Sequence, residues 1–447
     1  MWTVAQLAAD LASGATTSRA LVEQAFTRIV DPAGEGARAF VKMYADSARA
    51  EADFSDRLRH AGVLRSPVDG LPVSVKDLFD VAGDVTRAGS RILEKASAAK
   101  ADAAAVTRLR AAGAVLIGRT NMVEFAFGGV GLNPHFGTPK NPYDRKTGRV
   151  PGGSSSGAAV AQADGMCVMA LGSDTRGSIR QPAALCGVAG FKPTARRVPR
   201  EGAFPLSFTL DSIGPLANSA ACCATYDAIL AGEPPLPLPE MPAKGLRLLL
   251  PRSSALEDLD PQVGKAFDVA LARLSRAGML VIEIPVPAFD RQNGYFKAGG
   301  YAGAEAYHVH KPYLARLAEY DPRVGKRVLL GKDFLASDYL ALGELRAAFI
   351  REVEALAAPY DAIVMPTTPC MAPAIAETEA SDDEYFRWNF RIMRNTGLVN
   401  FFDGCAVTLP CHARGAPPVG LMVCGTAMSD RRTLAVAAAV EQVLSRD

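Results

Sequence analysis

The chain has 447 residues, 49% of them hydrophobic, and 49 Lys and Arg against 47 Asp and Glu leave a formal charge of only +2. Such a balance supplies no long-range field for a phosphate backbone or an anionic membrane, so neither nucleic acid nor a membrane surface is expected as a partner. The absence of any apolar run of about 18 residues argues against a spanning helix, and Met1 to Asp10 lacks the basic and apolar regions of a leader, so a cytoplasmic location is expected.

Thr3 and Gln6 have the spacing of a capping box opening a first helix, and Val22, Ala25, Phe26 and Ile29 form the apolar stripe of a second. From Gly70 onward short apolar runs alternate with helical stretches: Leu71 to Val75, Ala114 to Gly118, Cys167 to Gly172, Leu246 to Leu250, Met279 to Ile284, Ala362 to Met365, Ala406 to Leu409 and Val419 to Cys424. That alternation predicts an α/β sheet. Asp260 is placed to cap a helix with Pro261 in its first turn, a face of Val263, Phe267, Ala270, Leu271 and Leu274, and Gly278 at its end. The final helix starts near Asp430 and is expected to bury Val436, Val440, Val443 and Leu444. Residues 233–242, with five prolines, read as a linker that divides the chain into an N-terminal part holding the unusual motifs and a C-terminal part ending in more strand-like runs. The eight cysteines are scattered without a Cys-x-x-Cys pair, which reads as reduced, buried thiols.

Three small motifs carry potential chemistry. Pro151-Gly-Gly-Ser-Ser-Ser-Gly157 precedes a helical pattern; alone it reads as a flexible loop, and no Gly-Lys-Ser/Thr follows to make it a phosphate cradle. It also satisfies Gly-x-Ser-x-Gly, with Ser155 as nucleophile. Ser173-Asp-Thr-Arg-Gly-Ser-Ile-Arg-Gln-Pro182 follows a strand-like run, and a serine in a tight turn at a helix entrance, here Ser178, has backbone N–H groups beside it for an oxyanion. Lys76 ends an apolar run; desolvation there lowers an amine's pKa and leaves it able to accept a proton.

Together these residues resemble the amidase signature family. The resemblance rests on Gly70-Leu-Pro-Val-Ser-Val-Lys-Asp, the Gly-Gly-Ser-Ser-Ser-Gly run, and Gly172-Ser-Asp-Thr-Arg-Gly-Ser-Ile-Arg-Gln-Pro-Ala183 followed by Cys186-Gly-Val-Ala-Gly-Phe-Lys-Pro-Thr194. Gly118-Arg-Thr-Asn-Met-Val-Glu-Phe-Ala126, Asn141-Pro-Tyr-Asp144, Phe208-Thr-Leu-Asp-Ser-Ile-Gly-Pro215, Pro366-Thr-Thr-Pro369 and Pro418-Val-Gly-Leu421 extend it over almost the whole chain. The resemblance implies one α/β domain spanning 1–447, a single large mixed β-sheet flanked by helices on both faces, with residues 233–242 as an internal crossing. It further implies a Ser-cisSer-Lys triad: Ser178 as nucleophile, Ser154, entered by a cis peptide bond, as bridge, and Lys76 as base. The backbone N–H groups of Thr175, Arg176, Gly177 and Ser178 become the oxyanion donors. Asp77 and Asp174 are expected to face backbone or basic partners, since a carboxylate at Lys76 would oppose a neutral amine.

By this resemblance the chain hydrolyses a small-molecule carboxamide through an acyl-enzyme, with no cofactor and no metal. Carbamate, urethane or ester cleavage by the same triad is one alternative. A glutaminase-type A subunit of a tRNA-dependent amidotransferase, a branch to which Gln181 gives a slight pointer, is another. A homodimer is compatible with either. Arg176 stands where the family usually has glycine, and three destinations are open to it: solvent, Asp174, or an acceptor on the substrate. Substrate contacts are expected from residues 122–130, 296–310 and 394–402, with Met122, Phe125, Phe127, Tyr301, Tyr307, Asn395, Phe401 and Phe402 as candidates for an apolar or aryl acyl group. His60, His135, His308, His310 and His412 form no His-Glu-x-x-His pattern, and His308 with His310 reads as a helix-face or pocket pair.

Overall fold

A computed structural model describes residues 2–291, 294 and 299–445; Phe296, in one of the expected substrate segments, lies outside them. Among the described residues eleven strands form one mixed sheet: β1 (Phe40–Met43), β2 (Pro72–Lys76), β3 (Val115–Thr120), β4 (Met169–Asp174), β5 (Ala189–Lys192), β6 (Ser212–Ala217), β7 (Arg247–Arg252), β8 (Leu280–Pro285), β9 (Ala362–Pro366), β10 (Cys405–Pro410) and β11 (Gly420–Gly425). Their order is β1-β3-β2-β4-β6-β5-β10-β11-β9-β7-β8. β2 is parallel to both β3 and β4, and β7 to both β8 and β9, whereas the pairs from β4 through β6, β5, β10 and β11 to β9 are antiparallel.

Alternation along each strand explains why both faces are covered. In β3 Leu116 joins one apolar cluster and Val115 and Ile117 the opposite one, and in β4 Met169 and Leu171 part from Ala170 in the same way. The first face runs the length of the sheet, because Val407, Leu421, Val423 and Val364 share its cluster, while Ala406, Met422 and Met365 turn to a third cluster on the other side. Side chains that point alternately up and down a sheet buried on both sides give near-continuous apolar runs.

Each of the eight apolar runs overlaps a strand, which extends past it by one or two residues. β1, β5 and β6 are additional, and the reason is local: β1 is four residues long, β5 carries Gly190 and Lys192, and β6 contains Gly214-Pro215. Pro215 is accommodated because the β5 ladder reaches β6 only at Leu216 and Ala217. Thr3 caps the Val4–Ser13 helix through the Gln6 N–H, but the Gln6 side chain turns to Asp10 instead of closing the box. Asp260 stands at the N-cap of the Pro261–Arg276 helix without capping it, and its carboxylate binds the Met371 N–H and Arg391. In the last helix Val436, Val440 and Val443 are buried and Leu444 only partly so. All eight cysteines are free, seven buried and Cys411 partly so, and burial pushes every thiol up. No described helix is long and apolar enough to cross a membrane.

Candidate active site

Parallel pairing of β2 with β4 sets Val75 opposite Leu171, so their C-terminal ends present Lys76 and Ser173 side by side. Lys76 Nζ lies 2.7 Å from Ser154 Oγ and 2.9 Å from Ser173 Oγ. The lysine is fully buried, and burial, opposed by the charges of Asp174 and Asp211, lowers its pKa from 10.5 to about 7.

The Pro151–Gly157 stretch is buried throughout, so the flexible-loop reading fails. The Gly153–Ser154 peptide bond is cis. Gly153 N–H donates to Gly129 O at 2.7 Å, and a Cβ on Gly153 would stand 2.8 Å from Val123 Cγ2 and 3.0 Å from Gly131, so only glycine passes here. The Val123 N–H holds Ser154 O at 3.0 Å, and the Ser155 N–H donates to Ser178 O at 3.3 Å, tying the two serine segments together. Ser178 itself faces a cavity.

The turn carrying Ser178 is held by an acid that turns away from the lysine. Asp174, the last residue of β4, accepts from the N–H groups of Gly177 (2.7 Å) and Ile179 (3.2 Å), from Arg180 at 3.0 Å on both oxygens, and from Asn400 Nδ2 at 2.9 Å. Burial alone would raise this carboxyl; the charge and hydrogen bonds of Arg180, with Lys192, hold it down at about 2. Asp77 likewise faces Arg119 Nε (2.9 Å) and the Gly89 N–H (3.0 Å). The Gly177 N–H, one of the four expected oxyanion donors, is thus engaged by Asp174. Gly177 has φ +119, and a Cβ there would lie 2.2 Å from Thr396 Oγ1.

Arg176 replaces glycine without strain, since its φ lies outside the left-handed region. Its carbonyl accepts from Gln181 Nε2 at 2.8 Å and Thr396 Oγ1 at 2.9 Å. The side chain is half-buried; it packs on Gly397, lies 6.0 Å from the Phe390 ring centroid and lines the cavity.

Phe127 and Tyr301 also line that cavity. The other candidates are placed elsewhere by packing. Met122 is core, Phe125 is enclosed by Phe204, His310 and Tyr320, Tyr307 packs on the main cluster, Asn395 Nδ2 holds Ala255 O and Pro366 O, Phe401 stacks near Phe349, and Phe402 lies parallel to Phe289. Sequence reasoning misses Ser173 and Arg327. Ser173 stands inside the quoted motif next to the strand end, a usable signal; Arg327 belongs to the Pro322–Leu329 helix and carries none. The histidines pair elsewhere: His60 with Asp56 O, His135 with Glu124, His310 with Tyr320 Oη and His412 with the Val419 backbone, none with Ser155 or Ser178. Among the described residues no three His, Cys, Asp or Glu side chains converge as metal ligands.

The sequence model of the Amidase family matches residues 20–434. The chain belongs to the amidase signature family. It is 36% identical over 409 residues to 2-amino-5-chloromuconic acid deaminase of Comamonas testosteroni, covering 89% of this chain and 87% of that one. It is 33% identical to a glutamyl-tRNA(Gln) amidotransferase subunit of Synechococcus sp. (strain CC9605), over 97% of this chain and 94% of the relative. A crystal structure of an amidase superposes with a TM-score of 0.88 at 33% identity, covering 99% of both chains. The protein is thus an amidase, a hydrolase of C–N bonds other than peptide bonds, built on the α/β amidase fold.

Proposed function

We propose that this amidase cleaves a small carboxamide through an acyl-enzyme formed on Ser178. The observation that carries the reading is the buried Lys76 amine, lowered to about 7 and 2.7 Å from Ser154 Oγ, in a site whose cavity exposes Ser178. Neutral Lys76 accepts the Ser154 proton through its lone pair while its N–H donates to Ser173 Oγ. Ser154 in turn takes the Ser178 proton as Ser178 Oγ attacks the acyl carbon. The N–H groups of Thr175, Arg176 and Ser178 supply the oxyanion donors. The proton returns through Ser154 to the departing ammonia or amine, and water, deprotonated along the same relay, releases the carboxylate.

The same relay acts on carbamates and esters, which pass through a similar tetrahedral oxyanion. A glutaminase-type component of an amidotransferase is the second reading, favoured by the amidotransferase relative that spans nearly the whole chain. A panel of aliphatic amides, aryl amides, aryl carbamates, esters and glutamine, assayed with the wild type and Ser178→Ala, separates these. Ser178→Ala is expected to lower kcat by about 10⁴-fold or more on every substrate turned over. Retained activity in that variant would overturn the nucleophile, and turnover of glutamine alone would select the second reading.

A further inference from the structure

Two spaces open on the Ser178 turn, and they differ in size and in lining. The one that Ser178 itself faces is narrow, about 60 Å³, with Phe127, Phe390 and Met393 among its walls. That is the share of roughly two water molecules in the liquid, at ~30 Å³ each. The other is a cleft of about 230 Å³ that reaches Ser173 and is walled by Leu78, Phe204, Pro205, Phe208 and Ile213. The two meet along Ala126, Thr175 and Leu206. Most of the room in front of the site therefore lies outside the cavity that Ser178 faces.

The proposed chemistry gives each space one side of the scissile bond. An acyl group bonded to Ser178 Oγ stays in the space that Ser178 lines. The departing nitrogen takes its proton from Ser154, whose Oγ is 2.7 Å from Lys76 Nζ, and that amine is 2.9 Å from Ser173 Oγ. Ser173 lines the cleft and is not among the described residues that line the narrow cavity. Thr175, one of the expected oxyanion donors, belongs to both spaces. A carbonyl held there has its carbon chain on one side and its nitrogen on the other.

The lining of the cleft also selects the kind of amine. Asp211 commits its oxygens to Thr175 Oγ1 and to the Leu206 and Ser207 N–H groups, and Arg200 lies near enough to offset its charge. Glu201 is exposed to solvent. What remains is an aliphatic and aromatic wall, and Phe208, half exposed, continues it into an open groove of about 490 Å³ shared with His308, Tyr339 and Leu340. Such walls suit a flat apolar ring.

We infer that the substrate is an N-substituted amide, with a short acyl group of about two carbons in the narrow cavity and a larger, aryl-bearing amine in the cleft. This names the substrate class of the reaction proposed above and rests on Ser178 being the nucleophile. The test compares two isomers, N-benzylacetamide and hydrocinnamamide, which hold the same atoms with the ring on opposite sides of the carboxamide. They are assayed, beside N-benzylbutyramide, with the wild type, Ala203→Phe, Met393→Ala and Ser178→Ala.

The wild type is expected to prefer N-benzylacetamide over hydrocinnamamide by about 10–100-fold in kcat/KM, and over N-benzylbutyramide by about tenfold or more. Ala203 lines the cleft and not the narrow cavity, so Ala203→Phe should lower the preference between the isomers about tenfold, chiefly through KM. Met393→Ala widens the narrow cavity and should raise N-benzylbutyramide relative to N-benzylacetamide about tenfold. Circular dichroism and thermal melting of each variant confirm that it is folded. Preference for hydrocinnamamide, equal turnover of the isomers, no turnover of N-benzylacetamide, or equal losses on both isomers in folded Ala203→Phe overturns the inference. Activity surviving in Ser178→Ala would overturn the nucleophile instead, whichever isomer is preferred.

Discussion

Lys76 is the side chain whose charge state, in the proposed mechanism, couples chemistry to stability. Its amine is neutral above about 7, so log(kcat/KM) is expected to rise with pH along a limb centred near 7 and to level off above it. A profile flat from pH 6 to 9 would remove Lys76 as base. The sign for stability is the same. Between about 7 and 10.5 the unfolded lysine binds a proton that the folded one has lost, so stability rises with pH. Wild type should gain about 2 kcal/mol relative to Lys76→Met between pH 7 and 9, measured by urea denaturation at both values. Lys76, Ser154 and Ser178 are legible as candidates because each stands in a motif of small or apolar residues. Ser173 escapes because its importance lies in the distance to a lysine nearly a hundred positions away. Most aromatic pocket candidates are core for a related reason: a Phe in a half-apolar segment looks the same whether it faces a cavity or a neighbouring ring.

Among the elements, the Asp382–Phe401 helix shapes the Ser178 turn from outside it. Thr396 holds Arg176 O, and Asn400 holds both Asp174 and Arg180. Asp174→Asn leaves Arg180 buried beside a neutral partner and is expected to destabilise the fold by about 3–5 kcal/mol in urea titrations. Gly177→Ala drives a methyl group into Thr396 at a backbone angle that L side chains avoid, so the turn must shift. A loss of about 100-fold in kcat is expected. Near-normal kcat in a folded variant would show that the turn does not need this geometry. β6 marks where sequence patterns run out at this scale, because Gly214-Pro215 reads as a turn and only the short β5 ladder beside it makes a strand tolerable.

At the scale of the molecule, the proline-rich 233–242 stretch joins two parts of a single sheet, with β5 from the first part hydrogen-bonded to β10 from the second. Lys192 adds a bond to Gly404 O at 2.7 Å across the same seam. Proteolytic nicking within 233–242 is therefore expected to leave two fragments that co-elute in size-exclusion chromatography and separate only in denaturant. Fragments that part under native conditions would mean that the seam adds little. The mixed order of the sheet is not readable from the apolar runs, which identify strands but carry no information on their neighbours.

The buried cysteines have a practical corollary. Thiol reagents attack the thiolate, and here every thiol is held above its ordinary pKa and seven of the eight are buried, so toward maleimides the native chain should behave almost as a cysteine-free protein. A single new thiol at Phe390→Cys, on the rim of the cavity and half exposed in the native chain, would then be a selectively labelled position. A fluorophore attached there could follow substrate entry in real time without first stripping eight residues from the core.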